Sequence, residues 1–163
     1  MKIYIAGKLC SKSEREFLEE IAGLCEGLGF ETFLPHRDVG LAGGMQDVDK
    51  IFQGDIIEGF KGVDLVVADL NGLHVGAGTA WELGYAYAKG IPAIGIRTDG
   101  PVEDALDELS AVLLGSMDVV GDVGGLKDFL VKFINNQNSR DLLYLELVDT
   151  ILRKELQSLL MGL

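Results

Sequence analysis

LVVADL at residues 65–70, followed by GTAWELG at residues 78–84, decides the fold of this chain. The first run is short and mostly apolar, which is typical of a strand buried in a parallel sheet. The second run begins a helix and places Glu82 in the first turn of that helix. In open α/β sheets, ligands bind where a strand passes through a loop into a helix. Glu82 is therefore either an active-site carboxylate or a residue that caps the helix.

Strand-like and helix-like segments alternate along the rest of the chain. Right-handed crossovers between parallel strands place helices on both faces of a sheet, so this alternation predicts an α/β fold. We expect a flavodoxin-like, Rossmann-like doubly wound sheet of five parallel strands with an appended C-terminal helix. Apolar runs predict strands at 3–6, 32–34, 64–68, 91–96 and 117–120, and helical periodicity predicts helices at 13–28, 47–61, 79–89, 101–114 and 124–134.

Two capping-box motifs, S/T-x-x-E, predict how individual helices begin. Ser13 and Glu16 match the motif at the start of the first helix. Thr79 and Glu82 match it as well, and in that arrangement the Glu82 carboxylate would bond back to the Thr79 backbone. A capping box is worth about 1 kcal/mol and needs no function.

The loop before Glu82 contains Gly76 and Gly78. These glycines favour a tight turn from strand into helix, and backbone N–H groups at a helix start also attract phosphate. The dinucleotide-binding fingerprint G-x-G-x-x-G is not satisfied, because Trp81 occupies its last glycine position.

The C-terminal segment has a different character. Residues 135–138 form a polar stretch that predicts a break, and Ser139 is placed to cap a following helix with a wide leucine stripe. These features predict a domain at 1–134 and a helix at 139–163. The stripe is expected to be buried either against the domain or against a second subunit. The second alternative predicts a homo-oligomer, which is the state we expect.

Composition limits the possible partners and the location of the protein. The 163 residues carry a formal net charge of −12, which disfavours binding to nucleic-acid polymers. A single nucleotide is still compatible, because one helix N-terminus can hold one phosphate. Neither a membrane span nor a signal peptide is predicted, so we expect a cytoplasmic protein without a membrane role.

Cysteine and histidine usage argues against a metal site or a disulfide framework. Cys10 and Cys25 lack CxxC spacing and are expected to be free thiols or small buried residues. His36 and His74 are far apart in sequence, so a metal site built on them is not expected.

The start KIYIAG at residues 2–7 and the whole of residues 64–99 resemble the nucleoside 2-deoxyribosyltransferase family. This superfamily also includes 2′-deoxynucleoside 5′-monophosphate N-glycosidases, and the resemblance extends over residues 1 to about 134. It implies a small-molecule nucleoside or nucleotide as the ligand, with no metal or organic cofactor. It also implies that Glu82 is the nucleophile, attacking C1′ of a deoxyribosyl group to give a covalent intermediate that a second base or water resolves. The positive end of the helix is expected to keep Glu82 ionised.

The resemblance assigns roles to residues on other elements. Tyr4 on the first strand would orient the nucleophile, and Gly7 and Lys8 would lie beside the substrate. A family aspartate is expected eight residues before Asp64, where this chain has Ile56. A shift of one residue brings Asp55 into place as the general acid.

The chain also departs from the family pattern. Gly76 replaces an aspartate that usually lies six residues before the nucleophile, and Pro101 and Ala111 stand where an arginine and an asparagine are usual. The alternative function is therefore a catalytically silent nucleotide-binding module of the same fold.

Further substrate contacts are expected at the ends of the strands. Arg37 is expected to bind a phosphate through two hydrogen bonds, and Asp38 is expected to bind a sugar hydroxyl. The alternative is that the two side chains pair with each other and only stabilise a turn. The remaining candidates share a position at a strand end or a helix start, and they are His36, Asp69, Asn71, Gly76, Gly78 and Thr79.

Overall fold

The structure, a computed structural model, describes residues 1–139 apart from the side chains of residues 107 and 108. It contains a sheet of five strands, all parallel, in the order β2-β1-β3-β4-β5. The predicted flavodoxin-like order is therefore confirmed. The strands are β1 (Lys2–Ala6), β2 (Glu31–Phe33), β3 (Val63–Asp69), β4 (Ala93–Ile96) and β5 (Asp118–Val120).

A helical segment follows each strand. They are α1 (Lys12–Gly27), α2 (Pro35–Asp38), α3 (Val48–Phe52), α4 (Ala77–Ala88), α5 (Ala105–Glu108), α6 (Ala111–Leu114) and α7 (123–139). A 3₁₀ turn, Met45–Asp47, precedes α3, and a π-helical stretch, Gln53–Glu58, continues from it. The sheet lies in a compact unit, Met1–Lys127, and the described residues from Asp128 onward belong to a second unit.

Alternating residues of the strands point to opposite faces of the sheet and build a core on each. On one face, Tyr4 and Val66 pack in a cluster with Phe60 and Leu83. On the other face, Ile3, Ile5, Leu65 and Val67 are fully buried, and α1 packs along β1. The central strands are thus apolar on both sides, as expected of a covered parallel sheet.

The capping box of α1 lies two residues earlier than predicted. Ser11, whose backbone is extended, accepts a hydrogen bond from the Glu14 N–H at 3.1 Å, and Glu14 accepts one from the Ser11 N–H at 2.7 Å. Ser13 is already inside the first turn. The predicted Ser13–Glu16 box is wrong because the overlapping pair Ser11–Glu14 satisfies the same motif.

The capping role of Glu82 is also wrong. Helix α4 begins at Ala77, two residues before the predicted start, and its N-cap is Gly76, which provides no side-chain cap. Thr79 therefore lies within the first turn and Glu82 in the second. At that position the Glu82 side chain is not needed to cap the helix.

Two other helix predictions differ from the structure. The helix predicted at 101–114 is interrupted at Leu109, which is extended, and Ser110 caps a separate α6 by accepting from the Val112 N–H at 3.2 Å. The predicted break at 135–138 is absent, because α7 continues through these residues to 139.

The leucine stripe of the segment 140–163 lies outside the described residues, and the homo-oligomer stays a prediction. Within residues 1–139, no helix combines the length and the apolar character required to cross a membrane.

Replacing Ser11 with alanine tests the observed cap. We expect Ser11→Ala to lower the free energy of unfolding by about 1 kcal/mol, because the N–H of Glu14 loses its acceptor. Ser13→Ala is the comparison variant: it loses only the hydrogen bond between the Ser13 and Ser11 hydroxyls, at 3.1 Å, and should cost less than about 0.5 kcal/mol. Urea unfolding followed by circular dichroism measures both, and equal effects of the two variants would contradict the assignment.

Candidate active site

A hydrogen bond between the first strand and the fourth helix defines the site. The Tyr4 hydroxyl donates to Glu82 Oε1 at 2.8 Å. Tyr4 is completely buried in β1, and Glu82 lies on the face of α4 that covers this strand. The order β2-β1-β3 places this pair beside the point where the strand order reverses, which is where ligands bind in doubly wound sheets.

Aromatic packing fixes the position of Tyr4. Its ring stacks against Phe33, with centroids 5.3 Å apart, and against Phe60, with centroids 4.2 Å apart. Offset stacking of this kind contributes to stability beyond the area it buries. The phenol therefore approaches Glu82 in one orientation.

Asp55 is the second carboxylate of the site. It is buried in the π-helical stretch Gln53–Glu58, and its Oδ1 atom has no hydrogen-bond partner among the described residues. A π-helical turn contains one residue more than an α-helical turn. This geometry agrees with the one-residue offset between Asp55 and the predicted position at Ile56.

Glu82 and Asp55 line the same cleft, which has a volume of about 360 Å³. Gly78 and Trp81 contribute from α4, and the other lining residues, from the segment that includes α3, are Ala42, Val48, Ile51, Phe52 and Ile56. A cleft of this size suits a small ligand. A second cavity, of about 400 Å³ beside α6, contains none of the predicted site residues.

Burial raises the pKa of both carboxyl groups. The pKa of Glu82 rises to about 7 mainly through burial, with the charge of Asp55 adding to this effect and the Tyr4 hydrogen bond opposing it. Burial raises the pKa of Asp55 to about 6. Because the two groups interact, the pair loses its two protons in two separate steps, and between these steps, at about pH 6 to 7, it holds about one negative charge.

The phenol of Tyr4 keeps its proton throughout this range. Its pKa is raised by burial and by the neighbouring charge of Glu82. The expectation that the helix start keeps Glu82 ionised is wrong, since the helix dipole acts mainly within the first turn and burial dominates in the second. Tyr4 is thus the donor that stabilises a negative charge on Glu82.

Gly7 and Lys8 follow β1 at the carboxyl edge of the sheet. A Cβ at Gly7 would clash with Leu18, so glycine allows α1 to pack closely there. The side chain of Lys8 passes over Gly76 and brings its Nζ atom to 3.9 Å from Glu14. Lys8 therefore covers the loop that leads into α4.

Asp69 and Asn71 organise the loop after β3. The buried Asp69 carboxylate accepts a hydrogen bond from the Asn71 N–H at 3.0 Å. Asn71 Oδ1 accepts from the N–H groups of Thr98, at 2.7 Å, and Asp99, at 3.2 Å. These bonds tie the loop to the end of β4, and neither residue lines the cleft of Glu82.

His36, Arg37 and Asp38 lie in α2 and are engaged locally. Arg37 pairs with Asp38 and with Glu26, each at 3.0 Å, and His36 Nε2 is 3.0 Å from Glu19. None of the three lines the cleft. This is the arrangement of a turn held by local ion pairs, and their contact with a substrate stays a prediction.

The start of α4 contains the remaining candidates. Gly78 lines the cleft, whereas Gly76 packs against Lys8. Thr79 is buried, and its hydroxyl has no partner among the described residues. Among those residues, no group of three histidine, cysteine or carboxylate side chains is placed to hold a metal ion.

Two aromatic residues of the cleft, Phe52 and Trp81, were not among the predicted site residues. Each keeps almost half of its surface exposed, at 44 % and 48 %. The available signal was the position of Trp81 next to Glu82, because adjacent residues near a helix start can border the same pocket.

Comparisons with known sequences and structures identify the family of this chain. The sequence model of the nucleoside 2-deoxyribosyltransferase family matches residues 3–125. A solved structure of a conserved protein from Enterococcus faecalis V583 is 29 % identical, with a TM-score of 0.62, over 78 % of this chain and 95 % of that one. No curated protein sequence matches significantly.

Two further solved structures match this chain. A 2-deoxyribosyltransferase from Bacillus psychrosaccharolyticus is 20 % identical, with a TM-score of 0.64, over 78 % of this chain and 90 % of that one. A CMP N-glycosidase from Clostridium botulinum is 20 % identical, with a TM-score of 0.49, over 75 % and 88 % of the two chains. Since the family match covers three quarters of the sequence, the chain belongs to the nucleoside 2-deoxyribosyltransferase family.

Proposed function

We propose that the protein cleaves or transfers at the N-glycosidic bond of a 2′-deoxyribonucleoside or its 5′-monophosphate, through a covalent intermediate on Glu82. The observation that supports this most directly is the hydrogen bond of 2.8 Å from the Tyr4 hydroxyl to Glu82, in a cleft that also contains Asp55. Family membership supplies the substrate class.

In the first step, a carboxylate oxygen of Glu82 bonds to C1′ while the bond from C1′ to the base nitrogen breaks. The base leaves with the electron pair of that bond and takes a proton from Asp55. A carboxylate suits this step because it stabilises the positive charge that develops on the sugar ring and then bonds to it.

In the second step, Asp55 accepts a proton from the group that attacks C1′ from the side the base has left. If that group is a second base, the reaction is a transfer, and if it is water, the reaction is a hydrolysis. The Glu82 carboxylate is released in either case, and the net stereochemistry at C1′ is retained.

One proton shared between Asp55 and Glu82 is the state that both roles require. Burial raises the pKa of Glu82 further than that of Asp55, even with the Tyr4 hydrogen bond opposing the rise, so in the free protein the proton resides mostly on Glu82. The reactive form is the one in which Tyr4 donates to an ionised Glu82 and Asp55 carries the proton, and the raised pKa of Glu82 lowers the fraction of protein in that form. Raised pKa values keep the other proton available near neutral pH.

Replacing Glu82 with glutamine tests the nucleophile. Glu82→Gln should reduce turnover of deoxynucleosides and deoxynucleotides at least about 10³-fold, because the amide cannot form the glycosyl ester. Chromatography of the base released or exchanged measures this, and Glu58→Gln, an exposed glutamate on the π-helical stretch, is the matched control. Base exchange indicates a transferase and free base alone a hydrolase. Wild-type binding without turnover would instead favour the silent module.

The pH dependence tests the shared proton. We expect kcat/KM to fall below about pH 6, where both carboxyls are protonated, and above about pH 7, where both are ionised. Asp55→Asn should lower the rate and remove the fall at high pH, because the acid is then absent. Rates of the Asp55→Asn variant are measured from pH 5 to 9. A rate that still falls at both low and high pH would contradict the assignment.

Stability should show the cost of burying Glu82. Its folded pKa of about 7 exceeds the ordinary 4.5, so folding loses stability as pH rises between these values. Glu82→Gln removes this loss and should stabilise the fold at pH 8 by about 1–3 kcal/mol, with little effect at pH 4.5. Urea midpoints at both pH values measure the difference. A variant less stable than wild type at pH 8 would contradict the burial of a charge.

A further inference from the structure

Two aromatic rings border the cleft without a part in the chemistry described above. Trp81 precedes Glu82 on α4, and Phe52 ends α3, three residues before Asp55. Both line the cleft and both remain close to half exposed. Large aromatic side chains that are only half buried leave a ring face or edge open to a ligand.

Packing against Tyr85 fixes the orientation of Trp81. Its ring stacks on Tyr85, with centroids 5.5 Å apart and planes inclined by 11°. Tyr85 in turn meets the buried Phe60 edge-on at 5.0 Å. The indole is therefore supported on one face by a residue anchored in the core.

Phe52 meets Trp81 nearly at a right angle. Their centroids are 5.9 Å apart and their planes are inclined by 74°. Two rings in this arrangement form a corner, in which a flat ligand can stack on one ring while its rim contacts the other. The corner adjoins both carboxylates, since all four side chains line one cleft.

The rest of the cleft offers little for hydrogen bonding. Besides the aromatic pair, its described lining consists of glycine and aliphatic side chains together with Asp55 and Glu82. The proposed reaction occupies both carboxyl groups at the glycosidic bond. Apart from the indole N–H of Trp81, which is a single donor, no other lining side chain among the described residues can then distinguish one pattern of base donors and acceptors from another.

We infer that Trp81 and Phe52 form the site for the base and select it by planar area rather than by its hydrogen-bonding edge. This inference rests on the proposed function for the identity of the ligand. Stacking is sequence-tolerant because every base has a π-face, and a purine offers more area than a pyrimidine. Purine deoxynucleosides are thus the preferred class, largely regardless of their exocyclic groups.

The sequence provides a direct reporter, because Trp81 is its only tryptophan. Glu82→Gln protein, which does not turn substrate over, is titrated with 2′-deoxyadenosine, 2′-deoxyinosine, the deoxyriboside of unsubstituted purine, and thymidine. We expect each to quench the tryptophan fluorescence. The three purine compounds should have dissociation constants within about threefold of one another, and thymidine should bind more weakly.

Substitutions in the same background test the contribution of each ring. Trp81→Leu should weaken purine binding about 5- to 150-fold by calorimetry, the range expected for loss of one stacking partner. Trp81→Phe should restore most of the affinity. Phe52→Leu should weaken binding too, while the Trp81 fluorescence reports that this variant remains folded. Tyr87→Leu, on the same helix and 71 % exposed outside this cleft, is the control and should bind normally.

Several outcomes would overturn the inference. They are an absence of quenching by every nucleoside, unchanged affinity in Trp81→Leu, and a preference of more than tenfold among the three purine compounds. A different result would refute the proposed function. If the wild-type protein shows quenching by nucleosides but no turnover, the proposed reaction is wrong and the inferred base site still stands.

Discussion

The hydrogen bond between Tyr4 and Glu82 is the interaction on which the site depends. It joins a side chain in the middle of β1 to the helix that follows β3, so it requires that these two strands be neighbours. Stacking by Phe33 and Phe60 leaves the phenol no alternative direction. The sheet order, the burial of one tyrosine and the position of one carboxylate are therefore parts of a single arrangement.

The burial that raises the pKa values of Glu82 and Asp55 works against the fold. Glu82 and Asp55 would each be more readily ionised in water, and Asp55 Oδ1 has no compensating partner among the described residues. Proteins keep such groups at functional positions and offset their cost elsewhere. Here the offset lies in apolar strands that are covered on both faces of the sheet.

The sequence predicted the sheet well because its strands are short apolar runs separated by clear helical repeats. It was less informative about helix starts, since Ser11–Glu14 and Ser13–Glu16 match one motif and only backbone geometry separates them. Thr79–Glu82 matched that motif by chance of spacing. The aromatic corner at Phe52 and Trp81 was not predicted, because two helices from different parts of the chain form it. The local pairing of Arg37 was stated only as an alternative.

The π-helical stretch Gln53–Glu58 has a consequence for how this protein tolerates length changes. A Cβ at Gly59 would overlap both the Asp55 carbonyl and the Phe33 ring. Gly59, which directly follows the π-helical stretch, therefore packs closely against Phe33 of β2. Deleting one residue would restore α-helical turns but rotate the preceding segment by about 100°. The extra residue thus acts as a spacer that aims Asp55, and insertions or deletions there are expected to be far less acceptable than in the loop at 40–44.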